Sequence, residues 1–479
     1  MKKIILVTFT LFCCGVFSQS FGQTIYSLNQ ALDAALDGSY TIKIARLNLE
    51  SSRNNLEAVR MGLRTTVTTE FDLPRYNRAL QSQFNTSLGT EEFYRIENTI
   101  LEGRLFFNQP IVFTNGTFSL VGSLLGRDQV DANNVTRQDY YTDLSLRLVQ
   151  PVFSFNSLSA SLTRANINLS KSELLFNKTE QDIIYNVKAG FYNLYRAKQV
   201  LEITREKVAQ SEVSFQTASN KFKAGLLAEV EALQLEVDLA SAQNELLNAE
   251  TNVKEAIDDF KILIGVPLSE KIDITGTLEY SPITISPDSA IAAALLNRPE
   301  LENLKSDITL QTLDKDEIDS QGSISGLITA SYGVNNTADR FKDAFSGLDE
   351  NRSITFTLKI PVWDWGKNSL QTQAAEARIK IAELSYEETR ERIIQEITGI
   401  YNRLEAAKAR VDVLSKSVNV AQRSYDISVQ RFNSGTITGF DLSQMQLRLT
   451  DAKINNLSAL IDYNLAVAEM QRRTLVIWK

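Results

Sequence analysis

The chain has 479 residues, a net charge of −8, 2 cysteines and no histidine. Without histidine it lacks the commonest general base, metal ligand and pH switch. Its length suits two domains or one large repeat architecture, and an acidic balance is a poor match for nucleic acid.

Lys2 and Lys3 precede an apolar stretch of 14 residues, Ile4 to Phe17, and then the small-x-small site Ser20-Phe21-Gly22. This is the pattern of an export signal over residues 1–22. Both cysteines, Cys13 and Cys14, fall inside it, so the mature chain has no thiol chemistry and a net charge of −10. A lipoprotein anchor is not expected, because Phe12 stands where a small residue is needed. No later segment has 18 consecutive apolar residues, so any membrane-embedded part must be a β-barrel.

The mature chain says most things twice. Ala31–Leu36 matches Ala290–Leu295 at an offset of 259 residues, and Gln150-Pro151-Val152-Phe153 matches Ile360-Pro361-Val362-Trp363 at 210. The difference is 49 extra residues in the first half, placed between about 72 and 142. We therefore read repeat one as 23–265, a linker with Pro267 and Pro282 as 266–285, and repeat two as 286–479.

Each repeat carries strands of period two. Val67–Leu73 and Leu144–Val149 in the first, and Ile328–Val334 and Ile354–Ile360 in the second, alternate apolar and polar residues. That gives four strands per chain. Asn115-Gly116, between two apolar runs in the insertion, signals a hairpin. We place it in a long outer loop; a wider sheet is the alternative. Pro151 and Pro361 mark a strand-to-helix switch, since proline cannot donate to a ladder but tolerates a first helical turn. Trp363 and Trp365 follow the second switch, where a membrane–water boundary and simple packing at the joint both fit.

Long helices come next. Val187, Leu194, Leu201, Val208, Phe215 and Phe222 recur every seven residues, as do Ile397, Leu404, Val411, Val418, Tyr425 and Phe432. A strict heptad argues for coiled coil. Each repeat then gives a helix of roughly 60 residues, a break at Gly225 or Gly435, and a return helix of roughly 40. Four strands cannot close a barrel, and open edges cannot sit in lipid, so copies must associate into a barrel continuous with a helical tube.

The signal, the doubled unit, the Ala-Leu-rich openings at Ala31 and Ala290, the two Pro-Val-aromatic switches and the two Phe-x-x-Gly turns together resemble the TolC-like outer-membrane efflux family. The resemblance covers nearly the whole mature chain. It implies an α+β homotrimer, with 12 barrel strands from the four-strand reading and a periplasmic coiled-coil barrel. It also implies a passive exit duct in the outer-membrane lipid, joined by a periplasmic adaptor to an inner-membrane RND or ABC pump. By the same resemblance, Lys221, Phe222, Gly225, Arg431, Phe432 and Gly435 form adaptor-docking helix tips, and Asp441, Gln444 and Glu231 line the periplasmic aperture.

Other readings of the same residues stand beside these. Gly225 and Gly435 suit plain helix C-caps. Thr438 to Asp441 reads as a capping box. The tyrosine and arginine that an acid at Glu231 would bond in the family are Phe432 and Ile437 here, which leaves Lys221, Lys223 or Arg431 as substitutes. A non-channel periplasmic coiled coil is the alternative function. No phosphate loop, nucleophile elbow or metal-ligand cluster appears, so neither an enzyme nor a cofactor is expected.

Overall fold

The computed structural model describes residues 24–85, 89–130, 135–278 and 280–478. The expected export signal lies outside them. In chain order the elements are β1 (Thr24–Tyr26), α1 (Leu28–Gly38), α2 (Tyr40–Gly62), β2 (Thr66–Asn85), β3 (Thr90–Ile111), β4 (Gly116–Val130), β5 (Thr136–Val152), α3 (Ser157–Lys223) and α4 (Glu229–Ile264). There follow β6 (Ile272–Ile274), α5 (Pro287–Asn297), α6 (Pro299–Gln321), β7 (Ser325–Ala338), β8 (Asp349–Lys359), α7 (Lys367–Asn433) and α8 (Gly439–Thr474). The helices α3 and α7 have 67 residues each, and α4 and α8 have 36 each. Among the described residues no helix is long and apolar enough to cross a membrane.

Two compact units divide the chain, and each draws on both halves. The first holds one antiparallel sheet in the order β2-β3-β4-β5-β7-β8. Four strands per chain is therefore a correction to make: the described sheet has six. The insertion supplies β3 and β4, joined at Asn115, which takes a left-handed φ of 59°. Nor does that turn belong to an outer loop. The Asn115 side chain accepts from the Leu158 N–H and donates to the Phe155 carbonyl, so the turn lies at the end of the sheet where helix α3 begins.

One face of the sheet carries an apolar row from strand to strand. Phe107 pairs with Leu120, Leu120 with Leu146, and Leu146 with Tyr332. Ile328 continues the same face into Phe356. Side chains one residue along point the other way, and there Ser119 bonds Asn108 at 2.7 Å while Arg104 meets Asp72 at 3.0 Å. Glycines on the apolar face sit beneath rings: a Cβ on Gly103 would stand 3.2 Å from Phe71, and one on Gly126 3.3 Å from Tyr140. Among the described residues the outer edges of β2 and β8 have no neighbouring strand.

At the switches, Pro151 sits in the last pairs of β5, opposite Leu327, and Pro361 stands two residues past β8. In both cases the helix starts six residues after the proline. Trp363 and Trp365 meet edge to face at 5.5 Å and are 74% and 86% exposed.

In the second unit β1 pairs in parallel with β6, and Lys198 of α3 bonds Asp273 beside it. The stretch after β6 is clamped to α8: the Tyr463 hydroxyl accepts from the Ile283 N–H at 2.9 Å and donates to the Ser281 carbonyl at 2.8 Å. The heptad seams part company here. In α7, Ile397, Leu404, Val411, Tyr425 and Phe432 are buried as expected. In α3 the buried face shifts after Leu201 to Thr204, Lys207, Ser211, Ser214 and Ala218, leaving Phe222 40% exposed. Contacts on two sides cause the shift. Lys207 pairs with Glu245 of α4 at 2.7 Å, and Gln446 of α8 donates to the Lys207 carbonyl and the Ser211 hydroxyl. Small residues let both helices approach.

Candidate functional site: the paired helix turns

Both long helices end in the same motif. The Gly225 N–H donates to the Phe222 carbonyl at 2.9 Å and the Leu226 N–H to Lys221 at 2.8 Å. Gly435 and Thr436 repeat this on Phe432 and Arg431 at 3.0 and 2.9 Å. This is the Schellman arrangement, which satisfies the last carbonyls and places C′ in the left-handed region. Gly225 and Gly435 supply it, with φ of 73° and 79°.

The return helices start differently. Thr438 caps α8: its hydroxyl accepts from the Asp441 N–H at 3.2 Å, and Asp441 accepts from the Thr438 hydroxyl at 2.8 Å and the Thr438 N–H at 3.2 Å. Those bonds, the hydroxyl first, with the charge of Arg431, hold the Asp441 carboxyl below the usual range. At the matching place α4 has Ala228, which offers no side-chain cap. Glu231, the counterpart of Asp441, reaches across the turns instead and accepts from the Gly439 N–H at 3.4 Å.

A second link runs the other way. The Lys221 ammonium donates to the Phe432 carbonyl and lies 4.5 Å from the centre of the Phe432 ring. A cation thus meets the C-terminal end of α7 and an anion the N-terminal end of α8, each sign matched to the helix dipole. Of the three substitutes considered, Lys221 makes the bridge, though to a backbone carbonyl rather than to Glu231.

Between the links lies an apolar cluster of Ala218, Ala232, Leu235, Tyr425, Phe432, Leu442 and Leu449. Burial, with the charges of Asp426 and Glu206, pushes the Tyr425 phenol up to about 12. Phe432 is 2% exposed, so as a surface residue for docking it is a correction: its ring belongs to this core. Gln444 is half-buried one turn into α8. Sequence reasoning missed Gly439, whose added Cβ would stand 3.0 Å from Leu235 and which lets α8 approach α4. Its only sequence signal was a glycine directly after a capping threonine.

A sequence model of the outer membrane efflux protein family matches residues 119–266 and 315–473. The chain belongs to that family. It is an outer-membrane export channel, and the family is one of efflux ducts rather than of enzymes. Outer membrane efflux protein BepC of Brucella suis is 20% identical over 337 residues, 69% of this chain and 72% of that protein. Outer membrane protein TolC of Vibrio cholerae is 24% identical over 330 residues, 65% and 72% of the two chains. The fold is similar to a membrane protein from Pseudomonas aeruginosa, with a TM-score of 0.71 at 16% identity over 93% of this chain and 90% of that one. It is also similar to the CmeC outer membrane channel of Campylobacter jejuni, with a TM-score of 0.70 at 15% identity, covering 100% of this chain and 94% of that one.

Proposed function

We propose that three copies of this efflux protein assemble into one duct, that its helix turns receive a periplasmic adaptor linked to an RND or ABC pump, and that Asp441 lines its closable end. The sheet carries the reading: a continuous apolar face and, among the described residues, two unpaired edges. Each unpaired backbone group in lipid costs several kcal/mol, so the edges must be covered by other copies. Three sheets of six would give 18 strands, a size that leaves an aqueous lumen. Apolar stripes add support. Val230, Leu233 and Val237 on α4, and Val413, Val420 and Ile427 on α7, are 48–70% exposed and want partner helices.

At the turns, Phe432 is buried and Lys221 engaged, so first contact with an adaptor falls to Phe222 and Arg431 beside the glycines. Threefold symmetry would bring three Asp441 carboxylates around one axis and favour cations there. Gln444 replaces a second acid, and Glu231 stays on Gly439, which makes the constriction less negative. Detergent extracts of outer membrane should yield a trimer that conducts ions in planar bilayers. A monomer released by salt washing would overturn the assembly. Asp441→Asn should shift the reversal potential toward lower cation preference; an unchanged potential would leave Asp441 a cap alone.

A further inference from the structure

The two most buried lysines of the helical unit each meet a carboxylate. Lys207 meets Glu245 at 2.7 Å and Lys261 meets Asp258 at 2.9 Å. Lys188 of α3 is half-buried, yet among the described residues its partner is an amide oxygen, Gln471 Oε1 at 3.2 Å. Burial pulls its ammonium below the usual lysine range, and no carboxylate opposes that shift.

Lys188 lines a cavity of about 470 Å³, together with Tyr185, Ile184 and the residues Leu475 to Ile477 that follow α8. Arg472 lines it as well. Its guanidinium bonds Asp182 at 3.2 Å and Glu469 at 2.7 Å and packs 4.2 Å from the Tyr185 ring. Its Nε–H is buried and has no acceptor. The cavity therefore holds a desolvated cation without a counter-ion against an apolar wall. An anionic acceptor supplies the missing counter-charge. The volume falls within the roughly 300–1,000 Å³ of small-molecule sites.

We infer that this cavity binds the carboxylate of a small amphipathic anion, with the Lys188 ammonium on the oxygens and the alkyl body against Ile184 and Leu475. The site is separate from the helix turns, and its test does not depend on them.

The assembled channel in lipid nanodiscs, titrated calorimetrically with hexanoate at neutral pH, should give saturable binding, and hexanol none. Lys188→Gln should weaken hexanoate about tenfold or more, about 1.4 kcal/mol, while Lys188→Arg keeps binding. The arginine variant also serves as the folding control, since it preserves charge and length. No saturable hexanoate binding to the wild type overturns the inference, as does equal affinity for Lys188→Gln. If Lys188→Gln instead dissociates the copies and hexanoate does not bind, an acid of a neighbouring copy fills the cavity and the inference fails.

Discussion

Phe222 and Phe432 stand at the same place in the two repeats, so a reading from repetition alone expects them to matter equally. Their burial says otherwise. Phe432 is 2% exposed within the cluster of Tyr425, Leu442 and Leu235, while Phe222 is 40% exposed. Truncating a fully buried phenylalanine costs about 3–5 kcal/mol, transfer and cavity together. Phe222 buries only part of its ring and leaves no enclosed void, so its truncation should cost about 1–1.5 kcal/mol by transfer alone. A gap of about 2 kcal/mol or more makes local opening of the turns at least roughly 30-fold more frequent in Phe432→Ala than in Phe222→Ala. Amide exchange over residues 432–445 in the assembled channel reads this directly, and leak current in planar bilayers reads its consequence. Equal exchange in the two variants would refute the assignment of Phe432 to the core that holds the turns together.

Three further outcomes follow from the same site. Lys221→Met removes a charged donor and a cation–π contact, about 1–2 kcal/mol, and should raise the open fraction about tenfold in bilayer recordings; an unchanged leak would make the bridge to Phe432 incidental. Gly225→Ala and Gly435→Ala should each cost about 1 kcal/mol in local exchange, because a Cβ at either meets open space and only the positive φ resists it; asparagine should recover part of the loss. The Asp441 carboxyl is held below its ordinary value of 3.8, so its contribution to the α8 cap is complete above that value and is lost as pH falls through the lower folded one. Exchange at the start of α8 should be flat down to about pH 5 and rise only in stronger acid; a rise near neutrality would contradict the cap.

The long helices were legible because a heptad over five steps has few other solutions, and their turns because glycine after a basic, aromatic-ended last turn has a single use. The hairpin of β3 and β4 was legible at Asn115-Gly116, but its place inside the sheet was not. On the apolar face of β3 and β4, glycines stand where the alternation needs bulk, Gly103 beneath Phe71 and Gly126 beneath Tyr140. The ring from a neighbouring strand fills the place, so the period-two signal is shared between strands and weak in each. Pairings of distant residues left no trace either. Glu231 bonds a backbone N–H at Gly439, and Lys188 finds Gln471 at a separation of 283 positions. A backbone partner has no residue type to read, and a lone lysine beside Val187 looks like any solvated position of a coiled coil.

The difference between the two helix starts explains how the turns are tied with Phe432 and Ile437 at positions that cannot bond a carboxylate. At the start of α8, Thr438 engages Asp441 and completes the cap locally. At the start of α4, Ala228 stands 210 positions before that threonine and offers no side-chain cap, and Glu231 bonds across to Gly439 instead. An acid so released does most good at the nearest unsatisfied donors, which are the first N–H groups of α8. Lys221 obeys the same logic with the sign reversed, at the last carbonyls of α7. One substitution, alanine for threonine, thus turns a local cap into a link between repeats. Ala228→Thr should reverse it. Glu231 would be recaptured as the cap of α4, the bond to Gly439 would be lost, and exchange at the Gly439 amide should rise while α4 gains protection at its start. If both helix starts gain protection together, the two roles of Glu231 do not compete and the link does not arise from the missing cap.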